Sequence, residues 1–237
     1  MESRESHDQV LKKILEFNDF MPEEWQAMIS ACRWHRYGEG EMVVEYQDDS
    51  NGVFIVAQGV IRILYYSLSG REVVFSDIHA GDMFGELSAI DGQRRSATAI
   101  SKTESVLVSI PANKFMEVIY SNKNVALAIL KRLSEKVRNL SDRLADVSTL
   151  SVKTRIHIEL IRLATETDDK SNSAIIYPAP THAEIASRVS THREAVTREL
   201  NYLWRCGLVE HKKRSLIIHD VDNLQYLVVR ARGVISH

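Results

Sequence analysis

From Trp34 to Ile110 the apolar residues come in short runs, VFIVAQG, VIRILYY and EVVFSDI among them. Gly38-Glu39-Gly40, Asp48 to Gly52, Ser69-Gly70 and Gly81-Asp82 cut between them. Evenly spaced runs rich in β-branched and aromatic residues, punctuated by glycine, predict an all-β sandwich or barrel, a β-roll of about eight strands. Ahead of it Val10, Leu11, Ile14, Leu15 and Phe17 fall at helical spacing, so residues 8–31 are expected to form one or two short helices.

After Pro111 the period changes. Ala126, Leu130, Leu133, Val137, Leu140, Leu144 and Val147 follow an alternating four-three step, the seam of a coiled coil. The stripe is narrow, and Ser134, Arg138, Ser141 and Arg143 flank it. That favours a partner helix over packing on the chain's own β-domain, and a symmetric homodimer follows. Where the heptads stop, residues 148–153 read Ser-Thr-Leu-Ser-Val-Lys, a sequence suited to a hinge. A further helix is expected from Thr154 to Thr165, carrying Ile156, Ile158, Leu160, Ile161 and Leu163, and then a polar loop, TETDDKSNS.

The remaining segment reads as two helices and a hairpin. Thr181 with Glu184 three residues on is a capping box. Ile185, Ala186 and Val189 mark the buried face of the first helix. After a turn near Ser190, Val196, Leu200 and Leu203 mark that of the second, which ends before Gly207. This is helix-turn-helix spacing. LVEH, the basic turn HKKRS and SLIIHD then predict a wing.

Overall charge is uninformative at −2, but local charge is not. Residues 188–214 hold Arg188, Arg193, Arg198, Arg205, Lys212, Lys213 and Arg214 against Glu194, Glu199 and Glu210. The outward face at the start of the second helix carries Arg193, Glu194, Thr197 and Arg198, where a recognition helix meets base edges. Arginine can bond guanine bidentately and glutamate can accept from cytosine. Lys212, Lys213 and Arg214 would hold phosphates, giving affinity without sequence information. The implied partner is double-stranded DNA.

Composition narrows the other classes. Two distant cysteines, Cys32 and Cys206, without a CxxC, fit a reducing compartment and argue against a cysteine-ligated metal. No apolar run is long enough to span a membrane, and MESRESHDQV lacks an apolar signal segment, so a cytoplasmic protein without a membrane partner is expected. His157, His182, His192, Glu184 and Glu194 form no nucleophile–base–orienter set, and no enzyme is expected.

One stretch remains, FGELSAIDGQRRSATA, with a carboxylate at Glu86 and an arginine at Arg95. Read alone, it could be an ion pair bracing two strands. A β-roll, a dimer helix and a winged helix-turn-helix in that order, however, resemble the Crp–Fnr family of bacterial transcription regulators, within which the cyclic AMP receptor branch is most similar. The stretch resembles that family's phosphate-binding cassette, and THREAVTREL its recognition helix. The resemblance implies an α+β chain divided as 1–121, a jelly-roll-like cyclic-nucleotide-binding β-roll; 122–150, a dimerisation helix and hinge; and 151–237, a winged helix-turn-helix.

It implies, further, that Glu86 accepts a ribose 2′-hydroxyl while the Gly85, Glu86, Leu87 and Ser88 backbone turns around the sugar. Arg95 pairs with the cyclic phosphate, helped by Ser96. The positions that contact the base fall on Leu140 and Ser141; Leu140 has no hydroxyl, so cyclic AMP is the implied ligand with cyclic GMP left open, and no metal is implied. On DNA, Arg193, Glu194 and Arg198 fall on base-reading positions and Thr181 on a phosphate-contacting one, with Thr191 and His192 at the start of the recognition motif. The implied operator is a palindrome resembling TGTGA…TCACA, the implied partner RNA polymerase through the loop from Thr165 to Ser173. A haem, redox or ligand-independent regulator on the same scaffold is the alternative; His35 and His79 are the isolated histidines a haem would need.

Overall fold

The computed structural model describes residues 29–233 except 69, 71 and 167–171. The expected N-terminal helix over 8–31 therefore lies outside the described residues but for its last turn. The described chain falls into two units, residues 1–136 and 137–237.

In the first unit eight strands form two four-stranded antiparallel sheets. They are β1 (Arg33–Tyr37), β2 (Met42–Val44), β3 (Val53–Gln58), β4 (Val60–Tyr66), β5 (Glu72–His79), β6 (Met83–Phe84), β7 (Thr98–Ser101) and β8 (Ser105–Ile110). One sheet runs β1-β8-β3-β6 and the other β2-β7-β4-β5. Val44, Val56, Ile61, Ile78, Phe84, Ala99 and Leu107 fill the space between them. A helix, α1 (Glu86–Asp91), lies between β6 and β7.

The continuous apolar run of β3 has a physical reason. Val56 turns into the sandwich, while Val53 and Ile55 face a layer of helices on the other side of their sheet. A strand buried on both faces has no polar alternation to show. That helical layer is α2 (Ala112–Ser121), through Phe115 and Val118, and the start of α3 (Lys123–Thr149).

The expected seam of α3 needs a correction here. Val125 and Ile129, at 2% and 4% exposure, bury against the β-roll, and Leu133 packs with them. The first turns of α3 thus do pack on the chain's own β-domain, and Leu133 belongs to that face rather than to the seam. Leu130, Val137, Leu140, Leu144 and Val147 are exposed, so the apolar stripe runs on as an open face along the helix.

The second unit contains the rest of α3, then α4 (Val152–Leu163), β9 (Thr165–Glu166), β10 (Ala174–Ile176), α5 (His182–Arg188), α6 (Arg193–Arg205), β11 (Val209–Lys212), β12 (Ser215–Ile218) and α7 (Val221–Ala231). Its sheet order is β11-β12-β10-β9. Ile156, Leu160, Ile185, Val196, Leu203, Ile218 and Leu224 are among its core residues. The hinge expected at 148–153 is a two-residue break: Ser151 is extended and its side chain accepts from Thr154 N, capping α4. α4 therefore starts two residues early, and Thr165, expected at its end, opens β9 instead. α7, capped by Asp220, was not anticipated.

Charged groups, not only apolar ones, hold this unit together. Asp146 of α3 accepts from Arg162 at 3.1 Å and from Arg232 at 2.8 Å. His157 and Glu199, both buried, bond at 2.8 Å. Burial pushes the Glu159 carboxyl up from its ordinary value, against the opposing pull of Arg188, Arg143 and Arg162. Arg155 gathers carbonyls from both sides of the break: Nη1 donates to Val147 O at 3.1 Å and to Leu150 O at 3.3 Å, Nε to Val189 O at 3.1 Å, and Nη2 to Ser190 O at 3.5 Å.

Candidate ligand pocket and nucleic-acid interface

Arg94 and Arg95 are adjacent, and the backbone sends them opposite ways. Arg95 N donates to Asp48 O, and Arg95 O accepts from Gln47 N, fixing the segment beside the 47–52 loop. Arg94 then points to solvent and pairs with Asp49 at 2.8 Å. Arg95 turns inward until it is 2% exposed. Its Nε donates to Ser50 Oγ at 3.0 Å, Nη1 to Gly85 O at 3.1 Å and Nη2 to Gly52 O at 2.7 Å, with the guanidinium over the Phe54 ring at 5.7 Å. Burial pushes its pKa down, while Asp48 and Glu86 push back. A buried guanidinium held by carbonyls and a hydroxyl, with carboxylates only at a distance, has the chemistry to take an anion as a further partner.

Glu86 opens α1, and Gly85 before it takes the left-handed backbone at φ +83. Glu86 is 4% exposed, Ser88 is buried with it, and Leu87 points outward. The simple ion pair is not what forms: among the described residues Glu86 and Arg95 do not bond directly. Glu86 Oε1 accepts instead from Lys136 Nζ of α3 at 2.6 Å. Ser96 is exposed beside Arg95. Around Arg95 the structure thus gathers Ser50, Gly52 and Gly85, and beside Glu86 it places Lys136; Ser88 is buried in α1.

Leu140 and Ser141 lie further along α3, both exposed, and the base contact expected of them involves a second subunit. α3 reaches Glu86 through Lys136, more than a turn before Leu140, and Ser141 Oγ donates to its own helix at Val137 O, 2.9 Å away. The residues that were missed left only faint signals. Lys136 lies among charged and polar residues of α3, Ser134 and Glu135 before it. Ser50 and Gly52 look like ordinary loop punctuation.

In the second unit Thr181 caps α5: Glu184 N donates to Thr181 Oγ1 at 3.2 Å, and Thr181 N to Glu184 Oε2 at 2.8 Å, the reciprocal box expected. Ser190 turns the chain at φ +54, and Thr191 N is fixed to Ala186 O. Val196, Leu200 and Leu203 then bury one face of α6, which leaves His192, Arg193, Glu194 and Arg198 exposed on another. Thr197 differs. Its hydroxyl donates to Arg193 O at 3.0 Å and bonds His182 Nδ1 at 2.8 Å. A hydroxyl has one proton, so His182 is the donor in that second bond. Burial, Arg193 and His211 all push the His182 pKa down. Thr197 holds α6 to α5 with a hydroxyl already committed.

The wing is β11 and β12, paired from Val209–Ile218 to Lys212–Ser215. Lys212, Lys213 and Arg214 stand exposed at its tip. Lys213 takes φ +52, and Arg214 O accepts from Ala179 N at 2.7 Å, so the tip is tied down rather than loose. A cationic wing beside an exposed helix start is the geometry of phosphate contacts flanking a base-reading element. No helix among the described residues is long and apolar enough to cross a membrane, and among them no group of three His, Cys, Asp or Glu could hold a metal ion.

Comparison with known proteins bears on both regions. Residues 34–122 match the cyclic nucleotide-binding domain, and residues 154–227 match the Crp-like helix-turn-helix domain. The cAMP-activated global transcriptional regulator CRP of Salmonella typhimurium is 24% identical over 197 residues, 83% of this chain and 93% of the relative. Vfr of Pseudomonas aeruginosa, of the same description, is 25% identical over 195 residues, 81% of this chain and 91% of its own. Among solved structures, the c-di-GMP responsive regulator CLP of Xanthomonas campestris superposes with a TM-score of 0.70 at 20% identity, over 84% of this chain and 99% of its own. A CooA mutant from Carboxydothermus hydrogenoformans gives 0.75 at 17% identity, over 92% and 95%. At those identities the superpositions establish the fold.

Proposed function

The chain belongs to the Crp–Fnr family of DNA-binding transcription regulators, and from that premise we propose that it is a homodimer gated by cyclic AMP, with cyclic GMP as a second ligand. The observation that carries this is the pocket: Arg95, buried and held by Ser50 and two carbonyls, stands in the same cradle as the buried Glu86. A cyclic nucleotide offers each group a complementary partner, a singly charged phosphate for the guanidinium and a 2′-hydroxyl for the carboxylate. Such charge-assisted bonds contribute about 1.5–3 kcal/mol each. The curated relatives described as cAMP-activated support the choice of ligand.

The open stripe Leu130, Val137, Leu140, Leu144 supports a second copy of the chain as the partner of α3. Two copies set two α6 helices on a palindromic TGTGA-like duplex, with half-sites about one helical turn apart. Arg193, Glu194 and Arg198 read bases; Thr181, Lys212 and Lys213 hold phosphates. Nucleotide binding extends or reorients α3 near residues 147–152, a population shift that requires different ligand affinities in the two states. The loop from Thr165 to Ser173, of which 167–171 lie outside the described residues, is the surface offered to RNA polymerase.

The test is calorimetric titration of the purified protein with cyclic AMP and with cyclic GMP, followed by fluorescence anisotropy on a palindromic duplex. Binding of nucleotide that strengthens DNA binding is the expected result. A second reading, a regulator answering another signal, is favoured by one observation: the charged groups of the pocket all have partners within the chain. Absence of binding by either nucleotide selects it.

A further inference from the structure

The two charged groups of the pocket are bonded to different kinds of partner. Arg95 donates to Ser50, Gly52 and Gly85, all in loops of the β-roll itself. Glu86 accepts from Lys136, which belongs to α3, the helix that carries the open apolar stripe. One turn earlier Arg132 reaches Asp82 at 3.4 Å, so two ion pairs tie this part of α3 to the roll.

Only one of them enters the pocket, and its two sides are unequal. The Glu86 side chain is 5% exposed, whereas that of Lys136 is 45% exposed. The ammonium can withdraw into water at little cost, because it is already half in it. The carboxylate has nowhere to go, and a buried charge that loses its partner must find another. A ligand hydroxyl is such a partner, since it donates one proton to a carboxylate oxygen. The withdrawal of Lys136 leaves, beyond the apolar packing of Val125, Ile129 and Leu133, the Arg132–Asp82 ion pair between α3 and the roll.

Resting on the nucleotide reading, we propose that the Glu86–Lys136 ion pair is a latch opened by the ligand's hydroxyl, and that Lys136 carries the occupancy of the pocket to α3. The ammonium and the hydroxyl compete as donors for one buried carboxylate. The ligand therefore binds against the latch, and part of its affinity is given up to produce a signal in the helix. Arg95 anchors the phosphate of the bound ligand, and Lys136 is the residue of α3 that changes partner.

Full-length wild type, Lys136→Gln and Lys136→Arg are titrated with cyclic AMP in a calorimeter, and each is assayed for DNA affinity with and without the nucleotide. Thermal melts confirm that each is folded. Without the competing ammonium, Lys136→Gln is expected to bind cyclic AMP at least about threefold tighter. The gain in DNA affinity on adding nucleotide is expected to shrink by a similar factor, and Lys136→Arg, which keeps the pair, to match wild type. A folded Lys136→Gln that binds nucleotide as wild type does, or more weakly, overturns the latch while leaving the nucleotide reading intact. If Lys136→Gln binds and wild type does not, the latch stands. If neither binds cyclic AMP or cyclic GMP, the nucleotide reading fails and the latch with it.

Discussion

A Cβ placed on Gly85 would stand 2.6 Å from Arg95 Nη1 and 3.0 Å from Gly52 O. The glycine is thus required twice, for its left-handed backbone and for the approach of the guanidinium whose proton its own carbonyl accepts. Gly85→Ala is expected to cost about 1–2 kcal/mol through the backbone alone and to swing Arg95 out of its cradle. Nucleotide affinity should fall by at least about tenfold. A melt of the protein reads the first effect and titration the second.

Arg95→Leu removes the anchor and leaves the neighbouring Arg94 in place. Because Arg94 is turned toward Asp49 at the surface, it cannot substitute. Nucleotide-dependent DNA binding should be abolished in a protein that remains folded by circular dichroism. A variant that still responds to nucleotide would place the pocket elsewhere.

The wing and the recognition helix should respond to mutation in different ways. Replacing Lys212 and Lys213 with alanine should weaken binding to all duplexes alike and reduce the slope of log K against log salt by about 0.9 for each phosphate that is no longer neutralised. Arg198→Ala should instead relax preference at one base pair, at a cost of about 1–3 kcal/mol on the cognate sequence. Anisotropy across a salt series, on matched and mismatched duplexes, separates the two.

Leu144 is 69% exposed on a helix that otherwise has no reason to show leucine to water. Leu144→Glu should leave each protomer folded and shift the protein from dimer to monomer in sedimentation, with loss of binding to palindromic DNA.

Burial pushes the Cys32 thiol up to about 11, whereas Cys206 is exposed. A raised thiol pKa means that little thiolate exists near pH 8, and thiolate is the reactive form. A thiol reagent at pH 8 should therefore modify one cysteine quickly, and Cys206→Ser should remove that fast phase. Unfolding should expose the second.

What the sequence made legible was what repeats. Strand runs and paired amphipathic helices are periodic because each must bury one face, and the eight strands and the two helices around Ser190 formed where the spacing put them. The capping box at Thr181 and Glu184 was legible because it is a local exchange of bonds three residues apart. The Glu86–Lys136 contact joins residues fifty positions apart, and nothing local to a lysine on a polar helix face announces it. Which turns of α3 lie on the roll was illegible for a related reason. Heptads tell which side of a helix is apolar, but not which turn lies against the roll; Val125, Ile129 and Leu133 settle that by packing. The bond between Thr197 and His182 was illegible because it joins residues of two helices.

The carbonyls that Arg155 gathers have a claim on them from elsewhere. If α3 were to grow through Leu150 and Ser151 into α4, the oxygens of Val147 and Leu150 would be taken up as acceptors in a longer helical ladder. Those are the two oxygens that Arg155 Nη1 now holds. Helix length and the grip of a single guanidinium thus draw on the same pair of atoms. Val189 and Ser190, at the turn before α6, are held by the other two nitrogens of that guanidinium. The end of α3 and the turn before α6 thus share one guanidinium, and a longer α3 would compete with it for two of the four oxygens it holds.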